Sequence, residues 1–150
     1  MLISALFAFL HFFAVFGIVS TVFFQWFTLS KAPSYVEAKR IQLCDRWYGV
    51  SSVVLLVVGF LRVFYFEKGK DFYFASPFFR LKLALFLVLG LLSIYPTIKF
   101  IGWRKDTRLE KPPVVPEGQF TVIARILKLE LLVLLAIALC ASLMARGLGL

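Results

Sequence analysis

The chain has 150 residues, 61% of them hydrophobic, with 18 phenylalanines, a mean hydropathy of +0.91 and a net charge of +9. A soluble domain of this size cannot hide so much apolar surface, which excludes a water-soluble enzyme or carrier. In a soluble protein such a charge would point to nucleic acid. Here the basic residues sit between apolar runs, with no zinc-finger spacing or RNA-binding aromatic motif, and topology and anionic headgroups account for them.

Four apolar runs follow one another at roughly 2–29, 48–66, 78–101 and 120–145. Each meets or approaches the ~20 residues that a helix rising about 1.5 Å per residue needs to cross a bilayer. Backbone groups in hydrocarbon must be satisfied within the segment, so the runs are helices. The expected fold is all-α: an integral membrane antiparallel four-helix bundle, one domain over 1–150, with both termini on one face. The first run lacks a basic leader and outlasts a signal-peptide core, so it is expected to remain as helix one. Pro33 and Ser34 open a mixed stretch, 34–47, expected to lie along the interface, with Asp45 capping the second span. The charged turn from Glu67 to Asp71 follows, and its Glu67 can balance Arg62 or Lys82. Pro96 is expected to bend the third span. Arg108–Gly118, with Pro112, Pro113 and Pro116, is a charged linker.

Orientation follows from Lys and Arg alone. Connectors one and three carry Lys31, Lys39, Arg40, Arg46, Arg104, Lys105, Arg108 and Lys111, against Lys68, Lys70, Arg80 and Arg146 on the other face. This predicts a multi-pass protein of the bacterial inner membrane with both termini periplasmic. Trp47, Tyr48, Tyr73 and Trp103 fall near span ends, where amphipathic rings favour the headgroup level. Cys44 and Cys140 fall at opposite ends of antiparallel spans, a poor arrangement for a disulfide, and two isolated cysteines make no iron–sulfur or closed zinc site.

Chemistry must come from polar residues inside the spans, which are expensive in lipid and face the bundle interior or snorkel to an interface. They are His11, Arg62, Lys82 and Glu130, supported by Gln25, Ser52, Ser93 and Tyr95. Antiparallel connectivity brings His11, Arg62 and Lys82 to similar depth near the outer face. Arg62 shares a helical face with Gly59, Leu55, Ser52 and Gly49, where small residues allow close approach. A neutral imidazole can ligate haem iron, Arg and Lys can pair with propionates, and phenylalanines can wall a porphyrin. The cofactor expected from this set is haem b, with His11 as the metal ligand and Arg62 and Lys82 as propionate partners. The same residues also fit a plainer arrangement, with Arg62 and Lys82 snorkelling and His11 bonding between helices. The chain has a single histidine, so a bis-histidine site within it is excluded. Glu130, with Ser93 and Tyr95, is a proton-relay or structural polar site, and Glu130 can instead pair with Arg125 or Lys128.

Two resemblances enter at these residues. The segment FRLKLALFLVLGLLSIY (79–95), the LRVFY segment (61–65) and His11 near the start of helix one resemble the membrane haem-dependent protoporphyrinogen-oxidase-like four-helix family. That resemblance implies a b-type haem protein that removes electrons and protons from a porphyrinogen, with its histidine, second-helix basic residue and third-helix lysine matched by His11, Arg62 and Lys82. Tyr65 or Phe66 and Tyr95 stand where that family carries further histidines. Over nearly its full length, on Leu61–Tyr73 and SIYPT (93–97), the chain resembles a family of small bacterial inner-membrane proteins of unassigned function.

Two function classes follow: a haem-dependent oxidoreductase or redox protein, or a non-catalytic membrane accessory, lipid-binding or small-solute transport protein. Four helices offer little central space for a channel, and no inverted repeat suggests a secondary transporter. Membrane lipids, a porphyrin or redox partner and a second copy meeting through Gly49, Gly59 or Gly90 are the expected partners; nucleic acid is not.

Overall fold

Amides in hydrocarbon have no water to bond, and this chain answers with helix almost throughout. The computed structural model describes residues 2–66 and 70–146. The long helices are α1 (Leu2–Thr28), α2 (Tyr35–Leu61), α4 (Pro77–Gly102) and α6 (Glu117–Ala145). A π-helical turn, Arg62–Phe66, extends α2, and two short helices, α3 (Lys70–Ala75) and α5 (Arg104–Thr107), flank α4. All four long helices are long and apolar enough to span a membrane. Within the most apolar window of each, only 11% to 17% of residues are buried by the protein itself. Phe9, Phe12, Phe13, Phe16, Leu87, Leu91, Leu135 and Leu139 all point outward. An apolar surface of that extent is stable facing lipid and not water.

The helices form an antiparallel ring in the order α1, α2, α4, α6, with the most extensive packing between α1 and α2 and between α4 and α6. One end carries the start of α1 and the end of α6 and is called the terminal end below. The other carries the 29–34 and 108–116 connectors and is called the connector end. The core runs along the axis through Ile18, Val22, Ile41, Leu89, Phe100, Ile123, Leu127 and Leu134. Gly17 sets the α1–α2 distance: a Cβ there would fall 2.5 Å from Ser51 Oγ and 3.3 Å from its Cβ. Gly49 and Gly90, expected at close contacts, have open space around them, and a Cβ at Gly59 would make only ordinary contact. The close approach belongs to Gly17.

The second span departs from expectation. Residues 34–47 do not lie along the interface but form the first half of α2, started by a capping box. Ser34 Oγ accepts from the Glu37 amide at 3.2 Å, and Glu37 Oε2 accepts from the Ser34 amide at 2.7 Å. These bonds satisfy two of the donors a helix start leaves open. With 27 residues, α2 is about 40 Å long against about 30 Å of hydrocarbon, so its first turns project past the membrane core. Asp45 is therefore a mid-helix residue and not a cap. Pro96 lies buried within α4, which stays helical through it from Pro77 to Gly102.

Past Trp103, α5 ends in a tight turn. The Lys111 amide bonds back to Asp106 O at 3.1 Å and the Glu110 amide to Thr107 O at 3.3 Å, with Glu110 at φ 55°. This is the bond pattern of a left-handed helix stop, and the following Pro112 and Pro113 prevent the helix from continuing. Lys31 Nζ then ties the first connector to the start of α6, donating to Glu117 Oε1 at 2.7 Å.

Candidate functional site

At the terminal end, three helices contribute the three expected side chains. Helix α1 buries one stripe, Ala14, Ile18, Val22 and Gln25 at spacings of three and four, and His11 continues that stripe one turn earlier. Its ring faces α2 at Gly59, where a Cβ would lie 3.6 Å from Cε1 and 3.7 Å from Nδ1. Arg62 follows one turn on, where α2 passes into the π-helical turn, and Lys82 comes from the second turn of α4. Both cations lie within electrostatic reach of His11 and of each other. Lys82 also has its ammonium 5.2 Å from the Phe79 ring centroid. His11 Nδ1 is buried with no hydrogen-bond partner among the described residues. A glycine opposite the ring, an imidazole nitrogen uncommitted to the protein and two flanking cations make a cradle suited to a ligand with negative charge.

Of the phenylalanines expected around that cradle, Phe79 is buried against Lys82. Phe12 meets the His11 ring edge-on at 6.1 Å between centroids, but Phe9, Phe12, Phe13 and Phe16 are all exposed on the lipid side of α1. The expected partner Glu67 lies outside the described residues.

Toward the middle and the connector end, the structure shows a second polar group that sequence patterning largely missed. Thr97 Oγ1 donates to Asp45 Oδ1 at 2.7 Å, and Gln25 of α1 faces the same carboxylate. Glu130 of α6 is 2% exposed, lies in electrostatic reach of Asp45 and Tyr48, and has Oε1 buried without a hydrogen-bond partner among the described residues. The Tyr48 hydroxyl has Ser52 and Ser93 as side-chain hydrogen-bonding neighbours. Tyr48 thus points into the bundle and not to the headgroup level. Of the expected relay residues, Glu130 and Ser93 join this group, with Ser93 also donating to Gly90 O at 2.8 Å. Tyr95 lies apart, half-buried beside Lys99, whose ammonium is 5.2 Å from its ring. No ion pair of Glu130 with Arg125 or Lys128 forms among the described residues. A signal was present in the sequence: Gln25, Asp45 and Thr97 are each polar residues inside long helices. Placing residues 34–47 outside the membrane hid the connection.

One turn further toward the connector end, Gln42 Nε2 donates to Phe100 O at 2.9 Å and Gln42 Oε1 accepts from Thr107 Oγ1 at 3.2 Å. Both side chains are buried. Cys44 and Cys140 are free thiols. No group of three or more His, Cys, Asp or Glu side chains among the described residues is arranged to hold a metal ion.

Fold and site together define a four-span helical membrane protein with two cations flanking a histidine at one end of its bundle, a buried Glu130 in its middle and a half-buried Asp45 toward the other end. Across residues 3–149 the chain matches the model of the family described as predicted membrane protein (DUF2214), and it belongs to that family. No curated protein and no solved structure matches it. In particular, the resemblance to the protoporphyrinogen-oxidase-like family finds no support among these comparisons.

Proposed function

We propose that this protein is a membrane b-type haem-binding redox protein whose cofactor sits at the terminal end, with His11 as axial ligand and Arg62 and Lys82 pairing with propionates. The single observation that supports this reading is the meeting of those three residues, from three helices, around a buried imidazole nitrogen with no hydrogen-bond partner among the described residues. Two cations beside one imidazole, in a low-dielectric setting, favour an anion nearby. Haem brings two carboxylates and an iron that prefers imidazole. When bound, haem would supply one-electron chemistry; the chain's own part is to present Nδ1 or Nε2 of His11, hold the propionates and keep water from that end. A second axial ligand would be a residue other than histidine, come from a partner subunit or be absent, since His11 is the chain's single histidine.

The test is an absorption spectrum of gently purified protein, oxidised and reduced, after expression with ample haem. The reading requires a Soret band near one haem per chain that is lost in His11→Ala while helicity and thermal unfolding stay as in the parent. A haem-free parent sinks it, as does a Soret band that survives in His11→Ala.

A second reading rests on a different observation, the Asp45, Glu130 and Tyr48 group in the middle of the bundle. An unpaired, buried Glu130 carboxyl next to a hydrogen-bonded aspartate suits the accessory or small-solute transport alternative, with Glu130 carrying a proton. Proton uptake into vesicles that is present in the parent and absent in Glu130→Gln would favour it. For location, we infer the bacterial inner membrane with both termini periplasmic, because the connector end carries the greater share of Lys and Arg. Cysteines introduced at 31 and 110 should then be labelled from the cytoplasm, and one at 75 from the periplasm.

A further inference from the structure

A recess of about 490 Å³ opens at the connector end, distant from the His11 cradle. Its walls are one face of α2, Lys39, Gln42, Leu43 and Arg46 at spacings of three and four, and one face of the α5 region, Arg104, Thr107 and Arg108. The two faces are fixed to each other: Gln42 bonds both the Phe100 carbonyl and the Thr107 hydroxyl, and all three residues are buried. This geometry is built from the end of α4 and from the stop that closes α5, so the recess is part of the fold.

Its charge is one-sided. Four of the seven lining residues are cations and none is a carboxylate. Arg104 Nε is buried with no hydrogen-bond partner among the described residues. Asp45 reaches Arg104 electrostatically, but its Oδ1 is already engaged by Thr97. Lys31 on the neighbouring connector shows the contrast, being paired with Glu117 at 2.7 Å. Like charges held this close favour an anion between them, and guanidinium forks fit phosphate oxygens in pairs. Depth points the same way. Counting about 20 residues back from Tyr65 puts the edge of the hydrocarbon near Arg46, so the recess lies at the level of lipid phosphates. Basic pockets between transmembrane helices at that level hold anionic headgroups.

We propose that this recess is a binding site for a phosphate-bearing anion, gripped by Arg104 and Arg108 from one side and Lys39 and Arg46 from the other. Phosphate is common to an anionic phospholipid headgroup and to soluble phosphate compounds, and the test separates them. The full chain is reconstituted in phosphatidylcholine nanodiscs, in nanodiscs with increasing phosphatidylglycerol, and in phosphatidylcholine nanodiscs with added pyrophosphate, and thermal unfolding is followed in each. Phosphatidylglycerol should raise the unfolding temperature saturably, and the mole fraction for half effect should rise about fivefold for each of Arg104→Gln and Arg108→Gln. Lys31→Gln, which removes an equal charge outside the recess, should leave it unchanged. If either arginine variant unfolds in the parent's conditions, Lys39→Gln and Arg46→Gln, on the exposed rim, carry the same measurement. A response to pyrophosphate alone assigns the site to a soluble phosphate compound. No response to either, or an equal loss in Lys31→Gln and the recess variants, overturns the proposal.

Discussion

The two ends of this bundle place polar groups in apolar surroundings by opposite means. At the connector end, buried side chains answer one another: Thr97 donates to Asp45, and Gln42 links the Phe100 carbonyl to the Thr107 hydroxyl. At the terminal end, His11 is flanked by the cations Arg62 and Lys82, and its buried Nδ1 has no protein partner among the described residues. The first set of bonds is made within the chain and stabilises the fold, while Arg104 Nε beside it has no partner among the described residues. The second arrangement leaves the His11 nitrogen open among the described residues, and the ligand proposed above would meet it. Glu130 stands between the two, deep in the bundle and with one oxygen unanswered among the described residues.

The largest expected effect tests the connector end. Gln42→Leu removes both bonds and leaves the buried Thr107 hydroxyl with only the long contact to Arg104 O at 3.5 Å, which should cost about 3 kcal/mol in detergent unfolding. Thr97→Val, which breaks a single bond to Asp45, should cost less, about 1.5 kcal/mol. If Gln42→Leu costs no more than an exposed control such as Leu43→Ala, the connector end is not held by this network and the contrast between the ends fails.

How much of this was legible in the sequence divides along the same line. The four spans and the all-helical fold follow from run length and hydropathy, because lipid allows no other backbone solution. The meeting of His11, Arg62 and Lys82 was also within reach, since antiparallel topology fixes depth and the 3.6-residue period fixes the face. The connector end was not. Residues 34–47 are mixed in polarity because α2 overruns the hydrocarbon, and a mixed stretch reads equally well as a surface helix. With that stretch laid on the membrane and Tyr48 expected at the headgroup level, Gln42, Asp45 and Tyr48 had no access to the interior, and their bonds to α4 and α5 could not be anticipated. The close helix contact was misplaced for a related reason. Several glycines share the spans, and nothing in their spacing tells Gly17, which faces Ser51, from Gly49 and Gly90, which face open space.

A smaller effect of opposite sign tests the terminal end. Lys82→Met keeps the length of the side chain and removes one of two like charges near His11. In protein stripped of ligand and lipid it should be neutral or stabilise by up to about 1 kcal/mol, the relief of repulsion offsetting the lost contact with the Phe79 ring. Glu130→Leu should behave likewise, because replacing an unanswered buried carboxyl by a side chain of similar size forfeits no bond at Oε1. In protein purified with its native occupant, Lys82→Met should instead destabilise. A loss of more than about 1 kcal/mol in the stripped protein would mean that Lys82 is answered within the chain and the two ends are alike.

The smallest expected effect separates the fold of the terminal end from its occupancy. Gly59 lies inside α2, where replacing glycine by alanine ordinarily gains about 0.5–1 kcal/mol by reducing the freedom of the unfolded chain. The added methyl would meet His11 at 3.6 Å, an ordinary van der Waals distance, so nothing has to move to admit it. Gly59→Ala should therefore raise the stability of ligand-free protein by about 0.5 kcal/mol. The same methyl occupies space beside the imidazole, so a flat cofactor coordinated by His11 from that side should bind less well or show a displaced Soret band. Higher stability with an altered spectrum would place the cofactor against the α2 face of His11. Higher stability with an unaltered spectrum would place it on the Phe12 side, and a loss of stability would show that the His11 ring does not rest on Gly59.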